Sequence, residues 1–407
     1  AITLLPILVL FQWMFPEEGT FPKRYRVILP YLLLSLIYFL LRNYFFGSLQ
    51  FGSQPVRPIY ENLLSQTRAW VHYLGTLILP LNLNVDYDFA VSHSILESQV
   101  VLSIFLLVFI TLFIWRLSRS NRVVGFFALW FAFTLLPTNS VIALEDLVSD
   151  RWLYLSSVGY AVLLAMAADW IFQKRIEQGR RSSKLVFFFL CALVVEWYCF
   201  STLLRNVDWT SQRTLWEDAV AKSPNKARTY NGLGLAYLQE DRLEEASQYF
   251  QKAITLEPQG GQAYLNLGYV YSLQGDYDKA IKYYEQAIPL NPRLLSEIYN
   301  NIGLSHFHKK RMEECERYLR KAIEIRPHNP APHYNLGLYF EEKGEMDRAI
   351  SLQETAAKLA PDYHLPYEAL SRLYQKKGWK EKSQEAYRRF LKHSPRPPTG
   401  GKPGSGK

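Results

Sequence analysis

The chain has 407 residues, of which 49% are hydrophobic and 15% aromatic; this excludes intrinsic disorder and leaves room for two or three domains. Its net charge of +9 is spread over both halves, so no nucleic-acid patch is expected. Three cysteines are too few for a disulfide framework, and Cys191 and Cys199 share one apolar stretch at a spacing too long for a bond along a helix.

The chain opens inside an apolar run, 1–15, without an initiator methionine or a charged leader, and an N-terminal part is expected to precede it. Further apolar runs follow at 27–46, 98–115, 123–136, 152–172 and 185–204. Crossing a bilayer takes about 20 residues. A polytopic membrane domain over 1–204 with about six spans is therefore predicted. The segment 69–83 is shorter, carries His72, Gly75 and Pro80, and reads as interfacial or re-entrant. Loops at 23–26, 116–122 and 174–184 are basic, whereas 86–97 and 145–150 are acidic. Basic loops stay cytoplasmic, which places the acidic loops and everything after the last span outside.

Several polar residues stand out in this half. Glu196 falls inside the last span, where an ionised side chain costs roughly 2.5–3.5 kcal/mol, so it is expected to face protein or water, either beside a structural partner or in a substrate path. Asp169 lies near a helix end, where interfacial solvation suffices. Between residues 135 and 160, acids, tyrosines and one arginine gather at a membrane exit. Arg151 offers a fork of donors suited to the phosphate of a lipid head group or lipid-linked sugar, with Asp150 placed to orient it and Tyr154 beside them. The plainer alternative is an arginine that anchors a helix end. Asp86 and Asp88 are outer-loop acids, either helpers in chemistry or simply solvated.

Residues 205–226 form a junction that reads as the second helix of an incomplete repeat. From 227 to 395 glycine returns at Gly234, Gly268, Gly303 and Gly337, with Ser371 in the fifth place. The interval is 34 residues, or 35 across Leu295. Small residues recur at Ala246, Ala280, Cys315, Ala349 and Ser383, and prolines close the units at Pro258, Pro292, Pro327, Pro361 and Pro395. A period of this length means stacked helix pairs. These marks resemble the tetratricopeptide repeat (TPR), in five copies, and the residues after 395 form a tail too polar to pack.

In such repeats the first helix of each unit lines the inner surface. Asn266, Asn301 and Asn335 stand two residues before their glycines and are candidates for an amide ladder that binds an extended peptide, flanked by Tyr269, Leu235, Leu304 and Leu338, with Glu341 and Glu342 adding negative charge. Hydrogen bonding of these amides within the repeats is the alternative. His306 and His308 face different ways on a helix, and no metal set is expected.

The order of parts is itself informative: a multi-span half, a Pro-x-Asn-Ser loop at Pro137 to Ser140, Asp150-Arg151 followed by Leu153 and Tyr154, then TPRs. It resembles the transmembrane and tetratricopeptide-repeat (TMTC) family of GT-C membrane glycosyltransferases. The resemblance implies an all-α fold with a GT-C-like membrane half, a polyprenyl (dolichyl)-phosphate sugar as donor with no further cofactor, and transfer of mannose to protein hydroxyls outside the cytoplasm, in a bacterial inner membrane or an endoplasmic-reticulum membrane. Ser156 stands where the family pattern has proline, and Asp150 where glutamate is commoner. The family's catalytic acids belong to a first outer loop this chain does not contain, so no catalytic base is named. A non-catalytic, membrane-tethered TPR scaffold and a polymer or glycan ligase of similar layout are the competing readings.

Overall fold

The computed structural model describes residues 4–15, scattered positions between 30 and 41, and residues 57–136, 146–177 and 182–394. The loop at 23–26, most of the run at 27–46, the motif from Pro137 to Ser140 and the tail at 396–407 lie outside them. Among the described residues the regular structure is helical, and the chain divides into two compact units, Ala1–Pro224 and Asn225–Lys407.

In the first unit the helices are α1 (Leu4–Met14), α2 (Ile59–Ile78), α3 (Ser98–Ser120), α4 (Arg122–Leu135), α5 (Leu153–Glu177, entered through a 3-10 turn at Asp150–Trp152), α6 (Ser182–Asp208) and α7 (Gln212–Lys222). Three stretches are long and apolar enough to cross a membrane: Ser98–Ser120, Asp150–Gln173 and Val186–Asp208. They expose large apolar side chains on most of their surface, the pattern expected where lipid rather than water is the solvent. At 14 residues α4 is about 21 Å long, short of the ~30 Å hydrocarbon layer.

Small and hydroxylated residues let these helices approach. A Cβ added at Gly159 of α5 would lie 2.7 Å from the Phe127 carbonyl of α4, so only glycine fits there. One turn away Ser156 is buried, 2.8 Å hydroxyl to hydroxyl from Thr134, and the Trp130 indole donates to the Leu155 carbonyl at 3.0 Å. The α3–α4 hairpin turns on Asn121, whose side chain accepts from the Val123 amide at 2.9 Å, and Arg116, Arg119 and Arg122 crowd that turn. The acids Asp86, Asp88, Asp146 and Asp150 gather at the opposite helix ends.

The segment expected over 69–83 starts earlier and ends sooner as a helix. α2 begins at Ile59, before the apolar run, because Asn62, Ser65 and Gln66 are buried along with Leu64, Ala69 and Tyr73. Residues 79–97 then form an irregular loop.

The second unit comprises ten helices in five antiparallel pairs among its described residues: α8 (Ala227–Gln239) with α9 (Leu243–Leu256), α10 (Gly261–Leu273) with α11 (Tyr277–Ala287), α12 (Leu295–His308) with α13 (Met312–Ile325), α14 (Pro330–Glu342) with α15 (Met346–Leu359), and α16 (His364–Lys376) with α17 (Lys380–His393). The predicted small positions are the contacts. Ala246, Ala280, Cys315 and Ala349 are fully buried, as are Ala287, Ala322 and Ala356. A Cβ at Gly268 would meet the Tyr284 ring at 2.7 Å, and Phe250, Leu319 and Gln353 press in the same way on Gly234, Gly303 and Gly337. In the fifth pair Ser371 takes the glycine place and donates to the Ser383 carbonyl at 3.0 Å. Burial pushes the Cys315 thiol up to about 12, with Glu316 adding to it, so it packs as a small apolar residue.

Each first helix ends on a residue with positive φ: Asp241, Gly275, Lys310, Gly344 and Gly378. The next amide closes the turn back onto the helix, as from Asp276 to the Tyr271 carbonyl at 2.9 Å.

Candidate functional site

Two places carry the predicted site residues, one in each unit. In the first unit a buried polar knot forms where the 79–97 loop meets the start of α5 and the end of α7. Asp150 accepts from the Tyr87 hydroxyl at 2.7 Å and from the Asn84 amide at 3.0 Å. The Ser223 hydroxyl, which ends α7, accepts from Asn84 Nδ2 at 2.8 Å and the Asp88 amide at 2.9 Å, and donates to the Asp86 carbonyl at 2.8 Å. Below it Asp218 holds Arg205 at 2.7 Å and Lys222 at 2.6 Å, and Lys222 also donates to the Leu83 carbonyl. Burial first, then the charge of Asp150, push the Tyr87 hydroxyl far up, so it remains a donor at any physiological pH.

This geometry corrects one expectation. Asp150 does not orient Arg151, because its carboxylate accepts from Tyr87 and Asn84; the Arg151 guanidinium instead stands 3.8 Å from Asp146. Arg151 is left largely open, its side chain 73% exposed, and Tyr154 one turn on is 84% exposed. Both stand at the start of a stretch long and apolar enough to cross a membrane, Asp150–Gln173. The acids of the 79–97 loop divide: Asp88 is exposed, whereas Asp86 is buried with its backbone tied to Ser223. Glu196 lies on an exposed face of α6. Asp169 is likewise exposed and accepts from Gln173 at 2.9 Å.

In the second unit the amides form cross-repeat pairs. Asn266 Nδ2 donates to Asn231 Oδ1 at 2.9 Å, and Gln262 Nε2 donates to Asn266 Oδ1 at 3.3 Å. Asn335 Nδ2 donates to Asn300 Oδ1 at 2.8 Å, and Asn300 Nδ2 to Asn301 Oδ1 at 3.2 Å. The partners Asn231 and Asn300 were missed in the sequence because they stand three residues before their glycines rather than two. Asn266 is buried, while Asn231, Asn301 and Asn335 stay half-exposed at the surface, and Tyr269 is 45% exposed. Glu341 and Glu342 do not add free negative charge. Arg372 and Lys376 hold Glu341 at 2.9 and 2.8 Å, lowering its carboxyl below the usual range, and Lys310 holds Glu342 at 2.9 Å.

Comparison with known proteins agrees with this division. Tetratricopeptide-repeat models match residues 227–259, 261–294, 294–362 and 366–396. The chain is 32% identical over 266 residues to protein O-mannosyl-transferase TMTC2 of Mus musculus, covering 63% of this chain and 30% of that protein. It is 29% identical over 126 residues to protein O-mannosyl-transferase Tmtc3 of Drosophila melanogaster, covering 31% of this chain and 13% of that protein. The longer match exceeds the 183 residues from 225 to 407, so it includes part of the membrane half. The chain spans less than a third of the length of either relative. Among solved structures the TPR protein YrrB is 19% identical and covers 44% of this chain and 92% of its own, with a TM-score of 0.33.

Proposed function

From the premise that this chain carries tetratricopeptide repeats behind a helical membrane half and is similar to the TMTC protein O-mannosyl-transferases, we propose that it serves in protein O-glycosylation. In this reading the membrane half holds a polyprenyl-phosphate sugar and the repeats hold the acceptor polypeptide, both outside the cytoplasm. The observation that carries it is the open Arg151–Tyr154 pair at the start of a spanning helix. A guanidinium held there meets a lipid phosphate at the depth where head groups lie, and its two-pronged donor geometry suits phosphate oxygens.

The polar knot supports this role by fixing the mouth. With Asp150 tied to Tyr87 and the loop tied to Ser223, the helix start that presents Arg151 is held against the junction helix. Charge developing on the departing phosphate would be stabilised by a cation already in place. Asp88, whose amide donates to Ser223 within the knot, is an exposed acid of the same loop.

The test is donor binding. The protein in nanodiscs is titrated with polyprenyl phosphate, and Arg151→Gln is expected to weaken binding at least about tenfold while Arg151→Lys retains part of it, the loss of a charge-assisted contact being worth about 1.5–3 kcal/mol. Equal binding by wild type and Arg151→Gln would refute the donor role and favour a membrane-anchored TPR scaffold.

A further inference from the structure

Resting on the reading of the repeats as the acceptor-binding half, we infer that the groove of the first two repeats takes an extended, uncharged polypeptide segment in which bulky apolar side chains alternate with small hydroxyl-bearing ones. The Asn231–Asn266 hydrogen bond fixes α8 and α10 side by side. On α8, Leu235 and Leu238 lie one and two turns beyond Asn231; on α10, Tyr269 and Leu273 lie one and two turns beyond Asn266. These positions therefore share one surface. Leu235 is 39% exposed, Tyr269 45% and Leu273 49%, although large side chains elsewhere in these helices, Leu233, Leu265 and Leu267, are buried.

The amides beside this stripe point to a backbone rather than a folded surface. Asn231 is half-exposed and Gln262 exposed, and each carries both a donor and an acceptor, as a peptide unit does. A helix brings no such groups, since its own are internally bonded; an extended chain brings them at every residue. Extended chains also show alternate side chains to opposite faces. One set would lie on Leu235, Tyr269 and Leu273. The other would point away from the groove, where a hydroxyl stays open to chemistry.

Charge selects in the same direction. The stripe from Asn231 to Leu238 and from Asn266 to Leu273 is uncharged, so a charged side chain laid on it would be desolvated without a partner. Glu341 and Glu342 of the fourth repeat offer no substitute site, because Glu341 is held by Arg372 and Lys376, and Glu342 by Lys310.

The experiment uses the full chain in nanodiscs and fluorescence anisotropy with three labelled nine-residue peptides: alternating leucine and threonine, the same with glycine for leucine, and the same with aspartate for leucine. Leu235→Ser with Leu273→Ser, both exposed, is compared with wild type, and thermal melting checks that the fold is kept. The leucine peptide is expected to bind at least about tenfold tighter than the other two, and the double variant to lose about tenfold. Equal binding of leucine and glycine peptides, with a loss on Asn231→Ala, would overturn the apolar preference and leave the groove as a backbone reader. Binding by none of the three, or binding untouched by every variant, would overturn both the inference and the acceptor-binding reading.

Discussion

His306 lies flat against Tyr318, ring centroids 5.5 Å apart and planes within 6°. Tyr237 with Tyr249 and Tyr271 with Tyr283 make the same stack at the same place in the two preceding repeats. A histidine in a tyrosine position makes this one link pH-sensitive. Burial lowers the His306 pKa, opposed by Glu314 and assisted by Arg311 and Arg317. A lowered folded pKa means that stability is complete above the ordinary histidine value, near 6.5, and is lost as pH falls below it, because the unfolded chain takes up the proton first. His306→Tyr should remove that slope. Melting wild type and variant between pH 7.5 and 5 checks this, and the difference between them should widen towards acid.

Gln353 shows a different departure from the repeat. It fills the place of Phe250, Tyr284 and Leu319, is fully buried, and donates to the Tyr334 carbonyl at 3.0 Å, while its Oε1 has no hydrogen-bond partner among the described residues. A buried unpaired carbonyl costs about 1–3 kcal/mol. Gln353→Leu should stabilise the repeats by about 1–2 kcal/mol, as Leu319 already packs on Gly303 in the neighbouring unit. Chemical denaturation followed by circular dichroism measures it; a loss of stability would mean that the Tyr334 contact outweighs the orphaned oxygen.

Two of the five inner turns place a side chain where glycine is easier. Asp241 and Lys310 have φ of 61° and 59°, the conformation that Gly275, Gly344 and Gly378 adopt. The left-handed region costs a non-glycine residue roughly 1–2 kcal/mol. Asp241→Gly should therefore stabilise by up to about 1 kcal/mol, glycine's looser unfolded chain offsetting part of the gain, and Gly344→Ala should destabilise by a similar amount. Paired unfolding curves decide both signs.

The knot around Ser223 predicts a local effect. Its hydroxyl serves Asn84, Asp86 and Asp88 at once, in a buried site. Ser223→Ala leaves the Asn84 side-chain Nδ2 and the Asp88 N–H short of an acceptor, at a cost of about 1–3 kcal/mol. Hydrogen exchange should quicken in residues 84–88 and remain unchanged in α13. Unchanged exchange at 84–88 would show that the loop is held by Tyr87 and Asp150 instead.

The repeats were legible because packing writes them into the chain at a fixed interval: Gly268 must be small under Tyr284, and Ala280 must be small between helices. The knot was not. Asn84 and Ser223 are 139 positions apart, Tyr87 and Asp150 63, and no local pattern announces a serine hydroxyl shared by a distant loop. Arg151 was legible as an exposed cation at a helix mouth, yet its neighbour in sequence, Asp150, turns away because a tyrosine across the fold reaches it first. The amide ladder fell between these cases. Asn266, Asn301 and Asn335 were visible, but the pairing joins Asn266 to Asn231 and Asn335 to Asn300, one place out of register between successive repeats, and alignment of single repeats hides those two partners.

The most direct measurement is transfer itself: labelled polyprenyl-phosphate mannose is supplied to the protein in nanodiscs with the leucine–threonine peptide, and label in the peptide is followed over time. Incorporation on threonine is expected, falling at least about tenfold in Arg151→Gln and with the Asn231→Ala, Asn266→Ala pair. Incorporation that is indifferent to Arg151, or absent while both lipid and peptide bind, would contradict the proposed role.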